Sequence, residues 1–267
     1  MLQQKLGLSQ AEIKKLVMRV PRLLGSNMDS NLEALLGGLQ RRLELNETEL
    51  KKVVLGFPAV LACSYDANIE PSLAALQLLL GLSEAELKNL VVKRAMVIGC
   101  SIEANIVPTL ALLQKRLGLS DVELKKMVLR FPTVLVFSYE ANIEPSLSAL
   151  QNRLGLSDSE LKKVVVRLPA VFGYSYEANI EPSLAALQNR LGLSEAELKK
   201  VVLLLPAVLG CSYKANLEPK LAFFQRDLEL SDESLRELVV RFPTLLGYSL
   251  EKRYRPRLER VRNYGGL

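Results

Sequence analysis

Hydrophobic and polar positions alternate along the chain in two helical stripes that return at a fixed interval. In Leu191–Gly210, LGLSEAELKKVVLLLPAVLG, the residues Leu198, Val201, Val202 and Leu205 follow the i, i+3, i+4, i+7 spacing of an amphipathic helix. A second stripe, Ile180, Leu184, Leu187 and Leu191, predicts another helix just before it. The opening Leu of the Leu-Gly-Leu-Ser motif, or of its Leu-Glu-Leu variants, stands at Leu6, Leu43, Leu80, Leu117, Leu154, Leu191 and Leu228, each 37 residues after the last. A fixed period of this size predicts units that bury their apolar faces by stacking on their neighbours. The expected fold class is therefore all-α, a solenoid of 37-residue helix–short turn–helix repeats. It is expected to be one array over residues 1–267, with a basic cap at 250–267.

Each unit carries helix punctuation. Ser9 is followed three residues later by Glu12, a capping box in which hydroxyl and carboxylate satisfy orphaned backbone N–H groups. The box returns as Asn46/Glu49, Ser83/Glu86, Ser120/Glu123, Ser157/Glu160 and Ser194/Glu197, and fails in the last unit, where Ser234 follows Ser231. Leu193 and Leu198 form a hydrophobic staple around one such start. Proline ends the opening helix at Pro21, Pro58, Pro132, Pro169, Pro206 and Pro243. The third unit has Ala95 there, so its helix is expected to run on. The PAVLG-like segments predict a 3₁₀ turn stopped by Gly25, Gly99, Gly173, Gly210 or Gly247. The closing helix starts in one of two ways: Ser175 caps it and Pro182 kinks it, or Asn179 caps it and Pro182 sits in the first turn. In the first unit Ala34 replaces that proline, and Gly37-Gly38 should weaken the helix. The N-terminal end begins on the tail of a closing helix, so the chain is expected to be either a fragment or a monomer with an apolar N-terminal end.

Composition narrows the function. Hydrophobic residues make up 49% of the chain, and the longest apolar run, Val201 to Cys211, is interrupted by Pro206. A membrane span needs roughly 20 apolar residues, so none is expected. The start, MLQQKLGLSQAEIKK, has neither an apolar signal core nor an Arg/Ser-rich transit composition. Cys63, Cys100 and Cys211 share one repeat column with Ser26, Phe137, Tyr174 and Tyr248 and are expected to be small buried hydrophobes. With no histidine and no CxxC pair, zinc sites and His-based triads are excluded, and no catalytic residue, metal or cofactor is expected. The net charge is +6, of which residues 252–267 supply +5, with six cations against Glu259. The other 251 residues hold 29 basic and 28 acidic groups.

The motifs LGLSxxELKKxVxRFPxxLGYS and xEANIEPxLxxLQ, seen around Leu117–Gln151 and Leu154–Gln188, resemble the mitochondrial transcription termination factor (mTERF) family. The ending Leu250–Arg257, LEKRYRPR, is similar to the family's final unit, so the resemblance covers essentially the whole chain. It implies a superhelix with a concave groove along which double-stranded DNA lies, and roles in organellar transcription termination, initiation or RNA processing. It also implies a mitochondrial or chloroplast location, and a monomer is expected. RNA remains open as the nucleic acid, and a protein- or peptide-binding scaffold is the rival reading.

Repeat columns sort the cations. Lys14, Lys51, Lys88, Lys125, Lys162, Lys199 and Arg236 form one column, and six of them follow an acidic residue four places earlier, which predicts intrahelical ion pairs. The next column, including Lys163 and Lys200, follows the capping-box Glu by three and is expected to be paired too. Two columns lack a local carboxylate, apart from Glu237 four places before Arg241, and are the candidates for phosphate contact. One is Arg19, Lys93, Arg130, Arg167 and Arg241, near the end of the opening helix; the other is Lys5, Arg42, Arg116, Arg153 and Arg190. The terminal Lys252, Arg253, Arg255, Arg257, Arg260 and Arg262 complete the set. Seven units at roughly 10 Å each would span some 20 base pairs. Tyr65, Tyr139, Tyr176 and Tyr213 share a column with Met28, Ile102 and Leu250, which predicts packing; Tyr254 and Tyr264 are open for stacking on bases.

Overall fold

The structure, a computed structural model, describes residues 2–24 and 29–265. Gly25, Ser26 and Met28, placed above in three repeat columns, lie outside the described residues. Two compact units emerge, Met1–Tyr139 and Glu140–Leu267, and no strand occurs among the described residues.

In the first unit the opening helices are Gln10–Arg19, Glu47–Gly56, Glu84–Lys93 and Asp121–Arg130, and the closing helices are Asp29–Arg42, Glu70–Leu80 and Val107–Leu117. Glu47–Gly56 packs on Glu84–Lys93, and the 3₁₀ turns Pro58–Ala62, Ala95–Gly99 and Pro132–Val136 stack in a row. In the second unit Asp158–Arg167, Glu195–Leu204 and Asp232–Arg241 stack as opening helices, with Glu144–Leu154, Glu181–Leu191 and Glu218–Asp227 closing. The apolar stripes meet inside these layers: Leu198, Val201 and Val202, like Leu50, Val53 and Val54, are almost completely buried. Each such side chain contributes about 1.5–3 kcal/mol by leaving water. The repeated helix pairs are those of an α-solenoid.

All six capping boxes form. Ser231 caps its helix without a return carboxylate. The expected helix extension at Ala95 does not occur. Glu84–Lys93 stops at Arg94, as its neighbours stop at Phe57 and Phe131, because Ala95 is buried in the row of stacked 3₁₀ turns. Packing imposes the break that proline imposes elsewhere. The glycines ending the 3₁₀ turns answer to a close approach: a Cβ on Gly99 would overlap the Phe57 ring, and one on Gly210 would lie 2.6 Å from the Tyr174 hydroxyl.

The closing helix combines both expected starts. Ser175 accepts from the Ala178 N–H and caps a π-helical turn, Tyr176–Ile180, and the α-helix Glu181–Leu191 follows with Pro182 in its first turn. In the equivalent start, Asn68 reaches back to the Ser64 N–H at 2.9 Å, so the asparagine closes a second box rather than capping the α-helix. A proline donates no hydrogen bond, and widening the preceding turn to i+5 bonding accommodates that loss. The first unit supports this cause: with Ala34 in place of proline, Asp29–Arg42 is α-helical throughout. That helix also runs through Gly37-Gly38 unbroken. Gly38 is buried under the Tyr65 ring, where a Cβ would lie 2.5 Å from Cδ2.

Cys63, Cys100 and Cys211 are free and half-buried rather than fully buried. Burial pushes all three thiols up, and each donates weakly to the carbonyl four residues earlier, as Cys211 does to Ala207 at 3.4 Å.

Candidate nucleic-acid interface

The lysine column is paired, but between repeats rather than within a helix. Lys51, Lys88, Lys125 and Lys199 reach the capping-box Glu12, Glu49, Glu86 and Glu160 of the preceding unit at 2.7–2.9 Å. Arg236 reaches Glu197 in the same way, at 2.8 Å. The lysines also donate to the carbonyls of Gly7, Glu44, Gly81 and Gly155, which cap closing helices in the left-handed conformation. One carboxylate thus serves a backbone N–H and a neighbour's ammonium. The Ser9 N–H first, and then Lys51, hold Glu12 at about 2, against an ordinary 4.5. Glu160 and Glu197 are held at about 2 by the same kinds of partner.

Of the acidic residues four places before those cations, Glu84, Glu195 and Asp232 belong to a second joint. Arg42 donates from Nε to Glu70 at 3.1 Å, from Nη2 to Gln77 Oε1 at 2.5 Å, and from Nη1 to Glu84. Arg153 repeats the pattern on Glu181 at 2.9 Å, Gln188 at 2.6 Å and Glu195 at 2.7 Å. Arg190 engages Gln225 and, at 3.0 Å, Asp232; Lys5 engages Glu33 at 2.6 Å. Burial works against the charge on Arg42 and Arg153, yet their carboxylate partners outweigh it and raise both pKa values. The absence of a carboxylate three or four places earlier therefore did not leave this column unpaired. Its partners stand 28, 35 and 42 residues ahead. Arg116, also of this column, makes interactions of its own.

The column Arg19, Lys93, Arg130, Arg167 and Arg241 is exposed. Arg167 donates to the carbonyls of Leu203 and Leu204 at 2.9 and 3.1 Å, and Lys93 reaches the Leu129 carbonyl at 3.4 Å. Each caps the end of the next unit's opening helix, where a cation also meets the negative pole of the helix dipole. Arg241 lies 5.4 Å from the centre of the Phe242 ring. One turn earlier on the same helices stand Lys15, Lys126 and Lys163, with Lys200 in register with them. Lys126, Lys163 and Lys200 are exposed and make no ion pair among the described residues, which corrects the expectation that this column is paired. Lys126/Arg130 and Lys163/Arg167 are like charges at i, i+4, a spacing that costs helix stability. The opening helices thus gather positive charge on their outer side. Exposure was the missing signal, and it follows from the period: two residues away, on the opposite side of the helix, stand the buried Leu161 and Val165 for Lys163 and Leu198 and Val202 for Lys200.

At the C-terminal end a π turn, Leu250–Tyr254, leads into the helix Arg255–Gly265. Tyr254 packs edge-on to Phe224 at 4.9 Å between ring centres, and its hydroxyl donates to the Leu245 carbonyl at 2.7 Å. Burial pushes Tyr254 up to about 12, so this ring anchors the end and is closed to base stacking. Tyr65 and Tyr176 are half-buried as well and donate to Glu70 and Glu181; Tyr264 is 92% exposed. Arg253 stacks 3.6 Å over the Tyr248 ring, Arg255 pairs with Glu251 at 3.0 Å, and Arg262 donates to the Asp227 carbonyl. Lys252, Arg257 and Arg260 are exposed and make no hydrogen bond or ion pair through their side chains among the described residues. Arg257 stands in the first turn of its helix, where the dipole disfavours a cation.

Among the described residues no cluster of metal-ligating side chains forms and no helix is long and apolar enough to cross a membrane. The chain matches none of the curated proteins it was compared with. The sequence model of the mTERF family matches residues 1–116 and 104–266, nearly the whole length. With its helix-pair repeats, the chain belongs to the mTERF family, a helical-repeat family of nucleic-acid-binding proteins.

Proposed function

We propose that this protein binds double-stranded DNA without catalysing a reaction and regulates organellar transcription, at termination or initiation, or acts in RNA processing. Family membership supports the nucleic acid and the organelle, mitochondrion or chloroplast. The observation that carries the reading is the exposed charge: Lys126, Lys163 and Lys200 on the opening helices, and Lys252, Arg257 and Arg260 at the end, face solvent and pair with no carboxylate among the described residues. Arg19, Lys93 and Arg130 in the first unit, and Arg167 and Arg241 in the second, add exposed cations to their own opening helices, while Arg253 and Arg255 shape the end. The arginines of the joints, Arg42, Arg153 and Arg190, hold repeats together. Each phosphate neutralised releases counterions, so affinity built this way falls steeply with salt.

The test is a salt titration of the whole chain, as a monomer, against a random 20-base-pair duplex, a single-stranded RNA and neutral dextran. Micromolar or tighter duplex binding with a log–log slope of about −5 or steeper is expected. A shallow slope, or tighter binding to the RNA, overturns the duplex reading.

A further inference from the structure

One joint between repeats has lost its arginine and kept the groups that arginine serves elsewhere. Where the other joints have Arg42 or Arg153, this one has Leu79, and where they have Glu70 or Glu181 it has Val107. Gln114 and Asp121 remain, in the places of Gln77 and Glu84 and of Gln188 and Glu195. Gln114 Nε2 donates to Asp121 at 2.7 Å, the bond seen at 2.9–3.0 Å in the other joints from Gln77, Gln151, Gln188 and Gln225. Gln114 is therefore oriented as its counterparts are. Its Oε1, the atom that receives an arginine Nη2 in those joints, has no donor among the described residues, and Asp121 has no cation.

Between them lies an open recess of about 450 Å³, lined by Leu79, Val107, Leu110, Ala111, Gln114 and Asp121. Next in sequence to the lining residues Leu79 and Asp121, Leu78 is 86% and Val122 61% exposed. Other repeats carry Arg41, Lys115, Asn152 or Asn189 in place of Leu78, and Thr48, Ser159 or Ala196 in place of Val122.

We propose that this recess receives an arginine side chain from a partner protein, presented on the apolar face of an amphipathic helix. The chain's own repeats are the template. Their arginine stem lies where Leu79, Val107 and Ala111 now form an apolar wall, and their guanidinium forks onto the glutamine oxygen and the carboxylate. A planar fork matches two such acceptors, whereas an ammonium is a point charge. The exposed Leu78 and Val122 supply the shoulder for apolar residues beside the arginine, in the manner of a helix laid into a groove. The carboxylate and the apolar wall repel phosphate, so the occupant is a protein rather than a nucleic acid.

The test titrates the intact ¹⁵N-labelled protein with Nα-acetyl-arginine-N-methylamide and its lysine counterpart at low salt. Saturable millimolar shifts centred on the Gln114 side-chain amide and the Val107 and Asp121 backbone amides are expected, with arginine bound roughly threefold or more tighter than lysine. Leu79→Arg supplies an internal guanidinium and abolishes them; Asp121→Asn weakens binding roughly three- to tenfold. An unmoved Gln114, shifts spread evenly over surface carboxylates, or undiminished binding in Leu79→Arg overturns the proposal.

Discussion

The joints between repeats and the outer side of the opening helices use the same residue types to opposite ends. At a joint, Arg153 is satisfied by Glu181, Gln188 and Glu195, and Lys199 by Glu160 and the Gly155 carbonyl. On the outer side Lys163 and Lys200, next in sequence to members of the joint column, meet no carboxylate among the described residues. One residue of helical rotation separates a structural cation from an available one. A near-neutral repeat body therefore still carries exposed lysines on its opening helices, because many of its acidic groups serve the joints.

The contrast can be broken most severely at the C-terminal end. Reversing Lys252, Arg257 and Arg260 to Glu together should weaken duplex binding roughly thirtyfold or more at low salt while leaving the melting temperature unchanged, read by fluorescence anisotropy beside circular dichroism. The joint should respond in the opposite sense. Arg153→Ala strands the partly buried Glu181 and should cost about 1–3 kcal/mol in urea unfolding, with duplex affinity intact. Arg167→Glu is the intermediate case, since it removes both an exposed cation and a cap on the Leu203 and Leu204 carbonyls, so it should lower affinity and stability together.

Acid sharpens the same distinction. The folded values of Glu12, Glu160 and Glu197, about 2, lie below the ordinary 4.5. Their contribution is complete above pH 4.5 and is lost as pH falls toward 2. The urea midpoint should hold down to about pH 5 and fall below it, and Glu160→Gln should flatten part of that fall. The smallest effect is expected from restoring the missing joint: Leu79→Arg with Val107→Glu should add about 0.5–1 kcal/mol in the same unfolding assay.

Most of the fold was legible because its signals are local and recur in six or seven units. The capping boxes of Ser9/Glu12 and its successors, the Leu198–Leu205 stripe and the prolines each speak within a few residues of themselves. The features that escaped depend on a neighbouring repeat. Ala95 breaks its helix because a buried row of turns demands it, and Gly38 is tolerated because Tyr65 lies over it. The ion pairs escaped for the same reason: a rule about i, i+4 spacing finds Glu195 beside Lys199, whereas Glu195 binds Arg153, 42 residues earlier. The joint partners left a trace in the sequence, since Leu79 and Val107 depart from their columns together, as Asp227 and Arg255 do.

The division of cations is tested most directly by the salt dependence of duplex binding in two alanine variants. One removes Lys163, Lys200, Lys252, Arg257 and Arg260; the other removes Arg42 and Arg153. The first should have a log–log slope shallower than the native protein's by about 4, and the second, under conditions where it remains folded, should keep the native slope. A native slope in the first variant together with a shallower one in the second would place the phosphate contacts at the joints and contradict this division.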